Sequence, residues 1–130
     1  MKTISLDSHV FLWWLSDKSR LGDSTKSLIS SADAVISVMA LFELAQKQRI
    51  NKLDPRVDFF KEAEREEFEI VDFGANAART YRKMPELDWR DPFDHMIMAH
   101  SVSGRQTLLT ADRKILSCGW SQLDTTDASM

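Results

Sequence analysis

The sequence predicts an α/β fold built around a parallel sheet of four or five short strands. Short apolar segments suited to strands alternate with longer segments suited to helices, and this alternation is typical of parallel sheets. Residues 34–37 form an apolar run ending in serine, as expected for a strand buried on both faces. Residues 93–102 are predominantly apolar, so we expect a buried helix that packs on the sheet.

The strand predictions rest on short runs that end at polar residues or turns. Residues 3–6 end at Asp7 and lead at once into an apolar segment, which favours a central strand feeding a helix. Residues 69–71 form a third strand, and residues 106–110 form a fourth, entered through Gly104. We expect an edge strand over 120–123 and a flexible C-terminal tail over 124–130, which leaves a single domain over 1–123.

The helix predictions follow from composition and from residues that favour helix starts. Asp91 is a good N-cap residue and Pro92 suits the first helical position, so the buried helix is expected to begin there. Asp54-Pro55 is expected to start another helix. The segment over 38–50 is apolar at first and basic from Gln46 onward. A loop is predicted over 84–90. The remaining helices are expected over 10–15, 21–31, 74–83 and 112–116.

Composition limits the class of protein without naming a function. The chain has 130 residues and a formal net charge of −3, so it shows no basic footprint of the kind that marks many nucleic-acid binders. Cys118 is the only cysteine, which excludes an internal disulfide and fits a reducing compartment. No apolar stretch reaches the length of a membrane span, and no signal-peptide pattern opens the chain. We therefore expect a cytoplasmic protein without a membrane partner.

Four acidic residues lie in apolar surroundings. Asp7 follows the first strand, Asp112 follows the fourth, Glu43 lies inside the helix after the second strand, and Asp94 lies in the first turn of the buried helix. Parallel sheets bind ligands at the carboxyl ends of their strands, where Asp7 and Asp112 meet if the first and fourth strands are neighbours. Oxygen ligands without a nearby histidine or cysteine suit a hard cation, Mg²⁺ or Mn²⁺.

Each of these residues also has a purely structural interpretation. Asp7, Asp91 and Asp112 precede helices, where aspartate commonly serves only as an N-cap. Asp94 occupies the third helical position, from which a carboxylate can accept from the backbone of the cap residue. Glu43 has Lys47 four residues on, and a buried ion pair is the structural alternative for it.

Other candidate groups carry weaker signals. The spacing of His9, His95 and His100 does not suit a shared metal, so packing or surface roles are expected. The four tryptophans are expected in the core or at an interface. Ser8 and Thr110 flank the proposed site, where a hydroxyl can hold a ligating carboxylate.

Four motifs occur in order along almost the whole chain. They are Leu-Asp-Ser-His at 6–9, a strand and helix carrying Glu43 over 36–45, Arg-Asp-Pro-Phe-Asp at 90–94, and Leu-Leu-Thr-Ala-Asp at 108–112. Together they resemble the motifs of small PIN-domain proteins. The resemblance implies a three-layer α/β/α PIN-like fold, with the first and fourth strands side by side. It also implies a VapC-type toxin of a type II toxin–antitoxin pair: an Mg²⁺- or Mn²⁺-dependent endoribonuclease that inhibits translation.

The resemblance assigns roles by position. Asp7, Glu43 and Asp94 correspond to the core metal carboxylates, Asp112 to the fourth acidic position and Asp91 to an auxiliary one. Ser8 and Thr110 lie where the family often has a site hydroxyl, whereas Ala40 departs from the Ser or Thr of many relatives. The implied partners are an RNA substrate, a cognate protein antitoxin and a second copy of the chain.

The sequence leaves three other functions open. The first is a catalytically idle PIN-like scaffold that only binds a partner. The second is a phospho-acceptor domain, which is disfavoured because Thr110 to Asp112 stand where such a domain needs a lysine. The third is a metal-dependent phosphatase. For each basic residue taken singly, ordinary solvated surface is the favoured interpretation, and the candidate phosphate contacts are Lys47, Arg49, Lys52, Arg90 and Arg113.

Overall fold

The computed structural model describes residues 3–130, which form five strands and seven α-helices. The strands are β1 (Thr3–Leu6), β2 (Asp33–Ser37), β3 (Glu69–Val71), β4 (Thr107–Thr110) and β5 (Asp124–Asp127). The helices are α1 (Ser8–Ser16), α2 (Asp23–Ser31), α3 (Val38–Arg49), α4 (Phe59–Arg65), α5 (Ala75–Arg82), α6 (Pro92–Ser103) and α7 (Arg113–Leu116), and a 3₁₀ turn spans Lys18–Arg20.

The sheet is entirely parallel, with the strand order β3-β2-β1-β4-β5. The central strand β1 pairs with both neighbours at once, because Ser5 is in register with Val35 of β2 and with Leu108 of β4. The prediction that the first and fourth strands are neighbours is therefore confirmed. Since all strands run in one direction, the residues that follow β1 and β4 meet at the same edge of the sheet.

The core lies between the sheet and the helices that flank it. Ile4, Leu6 and Leu109 of the strands are fully buried, as are Phe11 of α1 and Met98 of α6. An apolar side chain of this size stabilises the fold by about 1.5–3 kcal/mol when it is fully buried. This packing confirms the predicted α/β class and its layered arrangement, and it fixes the ends of α1, α3 and α6 relative to the sheet edge.

The predicted start of α6 is confirmed. Asp91 is the N-cap residue and Pro92 the first helical residue. The Asp91 carboxylate accepts a hydrogen bond from the backbone N–H of Phe93 at 2.9 Å. Such a cap contributes about 1 kcal/mol and fixes the angle at which α6 leaves the preceding loop.

The predicted helix start at Asp54 is wrong. The Asp54 carboxylate accepts from the backbone N–H of Arg56 at 2.9 Å and from its guanidinium, so it closes a turn instead. Helix α4 begins after Asp58, whose side chain accepts from the N–H groups of Phe60 and Lys61, both at 3.1 Å. Aspartate stabilises both turns and helix starts, and the local contact with Arg56 decides between them here.

The C-terminal predictions are also wrong. The edge strand is not at 120–123 but at Asp124–Asp127, where Thr125 is in register with Leu108 of β4. Residues 124–130 are therefore part of the fold and not a frayed tail: Ala128 is fully buried, and its carbonyl accepts from the N–H of Gly22 at 3.1 Å. The open edge of β4 offers backbone groups that this segment satisfies.

No helix between residues 3 and 130 is both long enough and apolar enough to cross a membrane.

Candidate active site

Asp7 and Asp112 lie at the carboxyl edge of β1 and β4, as predicted. Asp7 is only 3% exposed. The Thr110 hydroxyl donates to Asp7 Oδ2 at 2.8 Å and accepts from the backbone N–H of Asp112 at 3.1 Å. One hydroxyl at the end of β4 thus connects the two acidic positions and orients the Asp7 carboxylate.

Glu43 is buried inside α3 and is held from two sides. The Ser8 hydroxyl donates to Glu43 Oε1 at 2.8 Å. Lys47 Nζ lies 3.7 Å from Glu43 Oε2, so the ion pair considered as a structural alternative is also present, at a long distance. Ser8 directly follows Asp7, and its contact therefore brings Glu43 to the side of α1 on which Asp7 lies.

Asp94 is 8% exposed and does not act as a capping partner. Its Oδ2 accepts a hydrogen bond from the indole Nε1 of Trp89 at 3.0 Å. In the described part of the chain no bond joins its carboxylate to the backbone N–H of Asp91, so the predicted reach back to the cap residue does not occur. The loop before α6, rather than the helix itself, orients this carboxylate.

The N-cap interpretation is correct for the other three aspartates, and it does not exclude a second role. Asp7 Oδ1 accepts from the N–H of Ser8 at 2.7 Å, and Asp112 Oδ1 accepts from the N–H of Lys114 at 2.8 Å. Each of these two caps uses one carboxylate oxygen. Asp91 differs because its side chain is exposed at the rim of the site. Its charge acts on the site by raising the pKa of Asp94.

Burial and neighbouring carboxylates raise the pKa of Asp7 and of Asp94. The pKa of Asp94 is raised to about 7, with burial as the largest cause. The charges of Asp91, Asp7 and Asp112 act in the same direction, and the Trp89 hydrogen bond opposes the shift. Burial also raises the pKa of Asp7, against the lowering effects of the Thr110 hydroxyl and of His9. Like charges that share a low-dielectric edge disfavour full ionisation. The site therefore has a deficit of positive charge.

No basic side chain among residues 3–130 forms an ion pair with Asp7 or Asp94. Over the same residues, no three acidic, histidine or cysteine side chains converge on one point that could hold a metal ion. The donor set nevertheless fits Mg²⁺, because this ion is usually bound through one or two carboxylates and keeps several waters. Zinc sites are usually rich in histidine and cysteine ligands, whereas this donor set is made of carboxylates.

A cleft of about 340 Å³ is lined by Asp7 and Asp112 and contains residues that the sequence analysis missed. His9, which we assigned to packing or surface, lines the cleft, as does Arg20. The Arg20 guanidinium lies 5.6 Å from the centre of the Trp13 ring and 3.2 Å from Asp17. His9 is two residues after Asp7, which was an available signal, whereas nothing in the sequence places Arg20 there.

The candidate phosphate contacts have different surroundings. Lys47 is engaged with Glu43, and Arg113 pairs with Asp127 of β5 at 2.6 Å. Arg49, Lys52 and Arg90 are exposed. The structure thus leaves the last three available and gives Arg113 a structural role at the sheet edge.

The comparisons with known proteins agree on one family. The PIN domain family matches residues 4–119. The chain is 31% identical over 121 residues to Ribonuclease VapC22 of Mycobacterium tuberculosis, covering 90% of this chain and 92% of that protein.

Three solved structures share the fold. DNA-bound VapBC from Salmonella typhimurium has a TM-score of 0.70 at 19% identity, with 98% of each chain covered. VapBC2 from Rickettsia felis, bound to a promoter DNA fragment, has a TM-score of 0.67 at 18% identity, with 95% of this chain and 97% of that one covered. A toxin–antitoxin complex from Klebsiella pneumoniae has a TM-score of 0.65 at 17% identity, with 96% and 97% covered. The chain belongs to the PIN-domain family and is similar to its VapC-type members.

Proposed function

We propose that the protein is a metal-dependent endoribonuclease that hydrolyses RNA phosphodiester bonds. One observation carries the proposal: Asp7 and Asp94 come from different elements, are buried at one sheet edge, and form no ion pair with a basic side chain among residues 3–130. Buried carboxylates need a positive partner, and a divalent cation supplies it. Membership of the PIN family and 31% identity to a ribonuclease support the choice of RNA.

Asp7 and Asp94 would hold Mg²⁺ or Mn²⁺ directly, and Glu43 and Asp112 would bind it directly or through water. A bound divalent ion supplies Lewis acidity for attack on a phosphodiester. Asp91, at the rim, would contribute charge without ligating.

The remaining groups orient this set. Thr110 holds Asp7, Ser8 holds Glu43 and Trp89 holds Asp94, each through the hydrogen bond given above. Fixing a ligand in its productive orientation is the usual role of residues that surround metal ligands. His9 and Arg20, which line the cleft, are positioned to contact the phosphate groups of a bound strand.

The biological role that fits is the toxin of a type II toxin–antitoxin pair acting in the cytoplasm. A solved structure with the same fold is a toxin–antitoxin complex, and others are VapBC proteins. The cognate partner would be a protein antitoxin, and the protein would form a homodimer, as VapC-type proteins usually do. Trp13 and Trp14 lie on the half-buried surface of α1, where a partner would cover them.

The decisive experiment is cleavage of a mixed structured-RNA pool by purified protein with Mg²⁺, with Mn²⁺ and with EDTA. Any co-purified antitoxin must be removed first. Asp94→Asn is the test variant, and Asp23→Asn is the matched control because the Asp23 carboxylate is fully exposed on α2. We expect discrete metal-dependent products that vanish only with Asp94→Asn.

Two other outcomes would point elsewhere. If the folded protein cleaves no RNA with any metal but still binds a small protein partner, the result would favour a catalytically idle scaffold over a nuclease. Turnover of phosphomonoesters without RNA cleavage would indicate a phosphatase.

A further inference from the structure

A groove of about 400 Å³ lies against α3 and the start of α4, lined by Val38, Phe42, Ala45, Gln46, Arg49 and Phe60. Two of its lining side chains are aromatic and open to solvent. Phe42 is 55% exposed and Phe60 is 40% exposed. Isolated exposed apolar residues need no explanation, but two phenylalanines that line one groove form a surface suited to a ligand.

The groove borders the candidate active site. Phe42 immediately precedes Glu43 on α3, and its ring contacts Phe93, which immediately precedes Asp94 on α6. The two ring centres are 5.8 Å apart and the planes are tilted by 39°. This aromatic pair joins the two helices that carry Glu43 and Asp94, so the groove lies next to the helical turns that carry these carboxylates.

The polar groups of the groove suit a nucleic acid. Arg49 forms no ion pair or side-chain hydrogen bond with any residue from 3 to 130, and the Gln46 amide is equally free over that range. No acidic residue lines the groove. A guanidinium without a partner can bind a phosphate, and the neighbouring aromatic rings can stack on a base. Together these groups suit one nucleotide.

We propose that this groove is a subsite for one nucleobase of single-stranded RNA, adjacent to the phosphate that reacts. The base stacks on Phe42, Phe60 closes the far side, Gln46 meets the base edge, and Arg49 meets the backbone phosphate. Stacking of unpaired bases on aromatic side chains is a general mode of single-strand RNA binding. The inference rests on the proposed ribonuclease function, but it is tested by binding and not by cleavage.

The test measures RNA affinity in the cleavage-inactive Asp94→Asn background, in EDTA, by fluorescence anisotropy. Two probes are used: a short single-stranded RNA of mixed sequence, and an abasic ribose–phosphate oligomer of the same length and charge. Phe42→Leu keeps an apolar contact with Phe93 but removes the ring, and Phe42→Trp restores a ring. Tyr81→Leu is the matched control, because Tyr81 is 42% exposed on α5 and lies outside the groove.

We expect Phe42→Leu to weaken binding of the RNA about tenfold while binding of the abasic oligomer stays unchanged. Phe42→Trp should restore the affinity, and Tyr81→Leu should have no effect. Arg49→Gln should weaken binding of both probes and reduce the dependence of the affinity on salt by about one ion. Thermal melts of every variant establish that the comparison is between folded proteins.

Three outcomes separate this subsite from the nuclease itself. Equal loss on both probes for Phe42→Leu would overturn base stacking. Unchanged RNA affinity for Phe42→Leu, while the parent chain cleaves RNA, would overturn the subsite and keep the nuclease. The expected Phe42 pattern in a protein whose parent chain cleaves no RNA would support base stacking in the groove and contradict the nuclease.

Discussion

The contact between Trp89 and Asp94 predicts that Trp89→Phe weakens metal binding without unfolding the protein. The indole Nε1 donates to Asp94 Oδ2 at 3.0 Å, and Asp94 is 8% exposed. The Trp89 ring also packs edge-on against His95, with ring centres 5.3 Å apart, and lies 5.6 Å from Lys114 Nζ. Phenylalanine keeps an aromatic ring at this position, removes the donor and shortens the side chain by one ring, a loss of volume that the control variant below shares.

The size of the effect follows from the charge state of Asp94. A hydrogen bond to a charged group contributes about 1.5–3 kcal/mol, which corresponds to about one to two pKa units. Burial and like charges raise the pKa of Asp94 to about 7, and the Trp89 bond lowers it, so its loss raises the pKa further. A carboxyl must lose its proton to bind a cation. Mn²⁺ affinity at neutral pH should therefore fall about tenfold or more, and the pH of half-maximal binding should rise by about one unit.

The assay is calorimetric titration with Mn²⁺ at several pH values on both sides of neutrality. Trp14→Phe is the matched control, because the Trp14 indole also donates to a carboxylate, that of Glu66 at 2.6 Å, but in an exposed position. If Trp89→Phe binds Mn²⁺ with the same affinity and pH midpoint as Trp14→Phe, the indole does not orient a metal ligand and the reasoning is refuted.

Three further predictions follow from the site and the C-terminal strand. At a pH above neutral and in EDTA, Asp94→Asn should raise the melting temperature by a few degrees, because it removes a carboxylate whose raised pKa makes its ionised form destabilising. An unchanged or lower melting temperature by calorimetry would contradict this. Ser8→Ala should weaken Mn²⁺ binding about tenfold through the loss of the 2.8 Å bond to Glu43, while the urea midpoint shifts little; unaltered affinity would leave Ser8 no positioning role. Deletion of residues 124–130 uncovers β4 and should lower the free energy of unfolding by about 3 kcal/mol or more in urea titration, whereas a stability equal to that of the full chain would restore the tail interpretation.

The elements that the sequence predicted well are those with a local signal at their ends. Asp91-Pro92 marked the start of α6 because the cap and the fixed proline backbone act within one turn. The short buried strands β1 and β2 were recognised because two-sided burial leaves an apolar run. Asp54-Pro55 misled for the same reason, since aspartate followed by proline suits a turn as well as a helix, and only the contact with Arg56 separates the two.

The C-terminal strand was missed because its stability is not local. Residues 124–127 are Asp-Thr-Thr-Asp, with no apolar run to mark a strand. They are ordered by pairing with β4 and by a hydrogen bond from the Thr107 hydroxyl to Asp124 Oδ2 at 2.5 Å. An edge strand of this kind depends on which backbone groups β4 leaves unpaired, and that is a property of the assembled sheet.

The positions of the acidic residues were predictable from the sequence. The same reason explains why helix capping and metal binding looked like alternative roles for them. In a parallel α/β sheet, each helix that follows a strand begins at the carboxyl edge, so an N-cap aspartate is delivered to the place where ligands bind. The partial positive charge of the helix start stabilises that carboxylate even where other acids are near. Asp7 shows both roles at once, with Oδ1 capping α1 and Oδ2 held by Thr110. The capping signal therefore located the candidate site, whereas Trp89 and Arg20 reach it through a loop and a 3₁₀ turn whose paths no local pattern encodes.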